Sequence, residues 1–175
     1  IAAASLAALV AGATMNAVRD GAKQFKGLPY RLELVGTING VSFYNDSFST
    51  VPETTIAAIE SFDEPIILIA GGSEKGSDFR ELGNAIANSR VKSLIVIGQM
   101  TDRIVIAARD GGFSGEIVTG LTTMGEIVRA AFKYAKSGEV VLLSPAAASF
   151  DMFPNYKERG KQFCYEVARL THKTS

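Results

Sequence analysis

Three short segments of this sequence concentrate the residue types that hold small anionic or hydroxylated ligands. The first is Asn45-Asp46-Ser47-Phe48-Ser49-Thr50-Val51-Pro52-Glu53. A carboxylate directly after a buried strand can accept two hydrogen bonds from a vicinal diol, as acidic residues do with ribose in nucleotide sites. Asp46 stands in that position, with an Asx-turn as its ordinary alternative. Thr50, just ahead of Pro52 and Glu53, is either a helix N-cap or a hydroxyl left for a ligand. The second segment is Gly71-Gly72-Ser73-Glu74-Lys75-Gly76-Ser77-Asp78-Phe79. It has glycines before a helix, but lacks both the Gly-Lys-Ser/Thr ending of a Walker A loop and the Gly-x-Gly-x-x-Gly dinucleotide spacing. Lys75 remains of interest, because an ammonium beside the free N–H groups of a helix start suits a carboxylate. Its plain alternative is a solvated lysine in a turn.

The third segment runs from Ser144 to Tyr156. Small residues between Ser144 and Ser149, followed by Phe150 and Phe153, let a backbone approach a ligand closely beside an aromatic wall. A serine nucleophile is not expected: no Gly-x-Ser-x-Gly elbow occurs, and the one histidine, His172, lies at the C-terminus. One cysteine, Cys164, and one histidine cannot make a zinc site or an internal disulfide, so metal binding by a His/Cys cluster is not expected.

These segments need a scaffold that brings them to one edge. From Arg31 the pattern alternates through Leu32, Leu34 and Ile38, then Asn39-Gly40, then Val41, Phe43 and Tyr44, which predicts a hairpin with a type I′ turn. Apolar runs at Ile66 to Ala70, Ser93 to Gly98, a short strand near Ile117, and Val140 to Leu143 predict buried strands. Helical spacing falls at Pro52 to Phe62, Asp78 to Asn88, Asp102 to Arg109, Thr123 to Lys136 and Asn155 to Leu170. The alternation predicts an α/β, Rossmann-like open sheet, mostly parallel, with helices on both faces and an N-terminal β-hairpin. In such sheets ligands bind beyond the carboxyl ends of the strands, where all three segments then fall. Two further helices, Ile1 to Val10 and Met15 to Phe25, precede Gly27-Leu28-Pro29. The first has no N-cap and the chain begins without methionine, which suggests that it is the C-terminal part of something longer.

The chain has 175 residues, 47% of them hydrophobic, with 18 basic against 18 acidic side chains. A zero formal charge gives no broad electrostatic footprint for nucleic acid or anionic lipid, so any anionic ligand must be met by local groups. No signal peptide or spanning helix is expected, and a cytoplasmic location is the default.

Taken in order and spacing, the segments resemble the C-terminal domain of the Mur ligases, most closely the branch that adds D-glutamate. The residues that carry the resemblance are Gly27 to Glu33; Asn45-Asp46-Ser47 with Thr50 and Pro52; Gly71-Gly72 with Lys75, Gly76, Asp78 and Phe79; and Ser144 to Phe153. Asn155-Tyr156 with Glu158-Arg159-Gly160 complete the set. The resemblance implies an ATP-dependent, Mg-requiring amide ligase of peptidoglycan precursor synthesis. It would join D-glutamate to UDP-N-acetylmuramoyl-L-alanine through an acyl phosphate. Residues 1–26 would be the last helices of a central ATPase domain and residues 27–175 the substrate-binding domain. Carried over position by position, Arg31 would meet the adenine nucleotide and Asp46 the ribose. Lys75, Thr50, Ser149, Phe150 and Tyr156 would contact the amino acid. No catalytic residue falls in this chain, the Mg ligands and phosphate loop would lie in the central domain, and the piece alone is expected to be inactive. Two departures stand out: Phe48 replaces the usual lysine after Asn-Asp-Ser, and Tyr30 replaces the usual histidine before the arginine. The alternatives are a binding module that has lost catalysis and a related ligase for another amino acid.

Overall fold

The structure, a computed structural model, describes residues 2–73 and 76–171. Its centre is a six-stranded sheet: β1 (Glu33–Ile38), β2 (Val41–Asn45), β3 (Ile66–Gly71), β4 (Val91–Ile97), β5 (Glu116–Val118) and β6 (Val140–Leu143), in the order β1-β2-β6-β3-β4-β5. Only β1 runs antiparallel, to β2; the pairs β2/β6, β6/β3, β3/β4 and β4/β5 are all parallel. The hairpin turn is the one expected from Asn39-Gly40, since both residues take positive φ, 51° and 79°.

Period-two alternation sorts the apolar runs between two layers. From the central strands, Ile66, Leu68, Ala70, Leu94, Val96 and Leu142 pack toward α3 (Pro52–Ile59), α4 (Arg80–Ala87) and α5 (Thr101–Asp110). Ile67, Ile69, Ile95, Ile97, Val141 and Leu143 pack toward α6 (Met124–Tyr134) and α7 (Tyr156–Thr171). All six residues of β3 are buried, as a strand covered on both faces requires. Helix α6 opens with a capping box: the Glu126 N–H donates to the Thr123 hydroxyl, and the Glu126 carboxylate accepts from the Thr123 N–H.

Some boundaries differ from the sequence pattern for local reasons. Helix α4 begins at Arg80 rather than Asp78, because the Asp78 carboxylate accepts from the Arg80 N–H at 3.0 Å and pairs with its guanidinium at 2.6 Å. Strand β4 begins at Val91, which pairs with Ile66, rather than at Ser93. Helices α1 (Ala2–Val10) and α2 (Met15–Gln24) form as expected and bury none of their residues. Thr14 caps α2 by accepting from the Ala17 N–H. Among the described residues no helix is long and apolar enough to cross a membrane.

Candidate functional site

The parallel register places the ends of β2, β6 and β3 level, with Leu143 beside both Asn45 and Ile69. The loops that follow are bonded into one surface. The Asp46 N–H donates to the Leu143 carbonyl at 2.8 Å, the Gly71 N–H to Pro145 at 2.7 Å, the Ser73 N–H to Ala148 at 2.8 Å and the Ala146 N–H to Ser49 at 3.0 Å. Gly72 makes that approach possible, and Gly71 the close packing of β3 against the end of β4. Both have positive φ, and an added Cβ would lie 2.0 Å from the Ile97 oxygen at Gly71 and 1.9 Å from the Ala148 oxygen at Gly72. The glycine pair therefore serves loop packing, which accounts for glycines that follow no phosphate-loop spacing.

Arg159, on α7, ties these loops together. It is fully buried. Its Nε donates to the Ser47 hydroxyl at 3.0 Å, and its terminal nitrogens donate to the carbonyls of Ser47, Ala147 and Ala148 at 2.9, 3.2 and 3.4 Å. The Ser47 hydroxyl passes the connection on by donating to the Tyr156 carbonyl at 2.8 Å. Burial pushes the guanidinium down to about 10, opposed by the Asp151 charge, so it stays cationic at neutral pH among neutral acceptors. In the sequence Arg159 carried only family resemblance and no role. The signal available was its place on the stripe with Phe163 and Val167, the buried face of α7.

Asp46 is also built in, with 4% of its surface exposed. One carboxylate oxygen accepts from the Leu32 N–H at 3.2 Å and the other from the Ser144 hydroxyl at 2.7 Å. The Asx-turn considered for Asp46 belongs to its neighbour: the Asn45 side-chain oxygen accepts from the Ser47 N–H at 3.1 Å. The Asn45 amide meanwhile donates to the Gly160 carbonyl. Burial raises the Asp46 carboxyl above the ordinary carboxylate value, against the pull of Ser49, Ser144, the Leu32 N–H and the Arg31 charge. A carboxyl that holds its proton more tightly folded than unfolded makes stability fall as pH rises from the unfolded value through the folded one. Asp46→Asn is therefore expected to flatten that decline. Melting curves between about pH 4 and 7 check it, and parallel profiles for both proteins would refute it.

Beside Asp46, the chain at Tyr30-Arg31-Leu32 turns sharply. Tyr30 and Leu32 both occupy left-handed backbone, with φ 63° and 44°. The turn is held by the Tyr30 N–H donating to Glu33 at 2.9 Å and the Phe48 N–H donating to the Tyr30 carbonyl at 3.1 Å, in addition to the Leu32–Asp46 bond. Arg31 thus projects from a fixed base. Its exposed guanidinium lies 3.7 Å from the centroid of the Phe48 ring.

Phe48 also lines a cavity of about 160 Å³, together with Thr50, Ser149, Phe150 and Tyr156. That is comparable with the roughly 150 Å³ that admits a benzene-sized molecule. Four of the five residues expected to contact an amino acid are thereby brought together. The fifth, Lys75, lies outside the described residues, as does His172. Thr50 is not the helix cap considered for it: the N-cap of α3 is Val51, which makes no side-chain cap bond. Phe150 stands out at 70% exposure, while Tyr156 packs edge-on against Phe48, centroids 4.8 Å apart. Among the described residues no group of three or more His, Cys, Asp or Glu side chains could hold a metal ion.

Residues 30–147 match the family model described as Mur ligase, glutamate ligase domain. The chain is 45% identical over 168 residues to the UDP-N-acetylmuramoylalanine--D-glutamate ligase of Thermoanaerobacter sp. (strain X514), covering 96% of this chain and 37% of that protein. It thus spans little more than a third of the length of that relative. Among solved structures, the UDP-N-acetylmuramate-alanine ligase of Thermotoga maritima matches with a TM-score of 0.66 at 13% identity, over 96% of this chain and 36% of that one. The MurF ligase of Thermotoga maritima in complex with ADP matches at 0.58 and 18% identity, over 83% and 33%. These two likenesses show a shared fold.

Proposed function

The chain belongs to the Mur ligase family, and from that premise we propose that it is the substrate-binding, C-terminal part of a ligase joining D-glutamate to UDP-N-acetylmuramoyl-L-alanine. The observation that carries this reading is that one cavity is lined by Thr50 from the loop after β2 and by Ser149, Phe150 and Tyr156 from the segment after β6, far from it in sequence. In this reading ATP, with Mg²⁺ held by the rest of the enzyme, activates the precursor's carboxylate as an acyl phosphate, from which the amino group displaces phosphate to form the amide. The residues of this chain bind and orient. Thr50 and Ser149 offer hydroxyls to the amino acid's carboxylates, Phe150 and Tyr156 wall off water, and Lys75 supplies the compensating charge.

Arg31 offers an exposed planar cation to the nucleotide. Asp46 approaches the ribose from within the network that holds the Arg31 turn. Its internal bonds leave further lone pairs on a carboxylate that has about four acceptor sites. Helices α1 and α2 are assigned to the end of the preceding ATPase domain. In support, they bury no residue, and an apolar cleft of about 370 Å³ between them is lined by Ala4, Ala8, Ala17, Val18 and Phe25. A cytoplasmic enzyme, inactive when reduced to this segment, completes the reading.

In the complete enzyme, Lys75→Ala is expected to raise the KM for D-glutamate by about tenfold or more while leaving that for ATP unchanged. A change of less than about twofold in every kinetic parameter would remove Lys75 from the site. A second reading, a related ligase for another amino acid, is favoured by one observation: Phe48 brings an uncharged ring to the cavity. Phosphate release measured with D-glutamate against other amino acids separates the two. A charged pocket should discriminate by orders of magnitude, because the wrong ligand leaves buried polar groups unpaired.

A further inference from the structure

We propose that Phe48 is a positioning residue that couples the nucleotide side of the site to the amino-acid cavity. The inference rests on the reading above, in which Arg31 meets the nucleotide and the cavity holds the amino acid. The Phe48 side chain touches both. One face of its ring carries the Arg31 guanidinium at 3.7 Å, well inside the distance of about 6 Å at which a cation is attracted to an aromatic face. The ring also lines the cavity and stands edge-on to Tyr156, at 84° and 4.8 Å. Tyr156 in turn packs edge-on against Tyr30, centroids 6.0 Å apart.

The backbone reinforces the connection. The Phe48 N–H donates to the Tyr30 carbonyl, so ring and main chain of residue 48 both grip the turn that presents Arg31. Left-handed Tyr30 and Leu32 on either side fix the direction in which Arg31 leaves the backbone. An anion drawn to Arg31 therefore meets a guanidinium already laid flat on Phe48. A molecule in the cavity meets the same aromatic pair, since Phe48 and Tyr156 both line it. Two ligands that share a wall bias its position together, and the linkage between their affinities must be reciprocal.

The test uses the complete ligase with Phe48→Leu, Arg31→Met, the double variant and Phe48→Tyr. KM and kcat are measured for ATP and D-glutamate, each at saturating concentration of the other substrates. Leucine keeps an apolar side chain but has no π face. Phe48→Leu is expected to raise both KM values about threefold to tenfold, the range a stacked cation spans, with kcat within about twofold. In the Arg31→Met background its effect on the ATP KM should vanish while its effect on D-glutamate persists. Phe48→Tyr, which retains the ring, should restore both values. An ATP KM unmoved by Phe48→Leu, or moved equally with and without Arg31, overturns the coupling. If instead Arg31→Met itself leaves the ATP KM unchanged, the nucleotide reading fails and the proposal falls with it.

Discussion

Arg159→Met should unfold the protein at markedly lower denaturant and, in the complete ligase, cut turnover by about a hundredfold. Methionine can fill much of the same buried space, so the loss is chiefly of donors. The carbonyls of Ser47 and Ala147 lose the Arg159 bonds given for them, and Ser47 and Ala148 each keep another partner through the Ser47 hydroxyl and the Ser73 N–H. Each buried acceptor left unpaired costs about 1–3 kcal/mol. Removing a guanidinium that burial already disfavours returns part of that, which puts the net loss near 2–4 kcal/mol. The functional loss is larger in kind, because Ser47 and Ala148 flank Phe48 and Ser149 of the cavity, and a displacement of about 1 Å suffices for a hundredfold effect. Arg159→Lys keeps the charge without the fork and should recover little of either. Urea unfolding together with steady-state assays checks both parts. A stability loss below about 1 kcal/mol would mean that the loops hold themselves.

The layout of the sheet was legible because the hairpin strands alternate around Asn39-Gly40 and the central strands β3, β4 and β6 are short apolar runs bounded by turn residues. Strand order was not. That β6 inserts between β2 and β3 depends on how Phe43, Ile67 and Val141 share one face with Phe163, a nonlocal packing choice that no window of sequence displays. The placing of the three loops at one edge followed from parallel strands, whereas the meeting of Thr50, Ser149, Phe150 and Tyr156 around one cavity was implied only by the family resemblance.

The internal chemistry of those loops was harder to read. Asp46 and Asn45 are both Asx residues, and sequence cannot say which side chain turns back on its own loop and which reaches across to Leu32 and Ser144. Thr50 lies two residues before Pro52, yet the helix takes Val51 as its N-cap, so a residue type favoured as a cap lines the cavity instead. Arg159 was hidden for a different reason. Charged residues are rarely fully buried, so a lone arginine in a helix reads as surface unless the stripe it shares with Phe163 and Val167 is noticed.

Gly72→Ala is expected to destabilise the protein by about 2–6 kcal/mol, combining strain for a side chain at that φ with the clash it creates. The added methyl would sit 1.9 Å from the Ala148 oxygen, which also accepts from the Ser73 N–H and from Arg159. Relieving the clash means separating the β3 loop from the Ser144 to Ser149 loop, and with it opening the wall of the cavity. Gly76 provides the contrast within the same segment. It too has positive φ, 73°, but an added Cβ meets nothing within 4 Å. Gly76→Ala should therefore cost only the backbone preference, about 1–2 kcal/mol. The pair separates two roles for a glycine-rich loop. Were these glycines present to admit a ligand's phosphates, Gly72→Ala would weaken nucleotide binding and leave the ligand-free protein's melting temperature unchanged. If they are present to let two loops touch, the melting temperature falls without any ligand, and falls much further for Gly72→Ala than for Gly76→Ala.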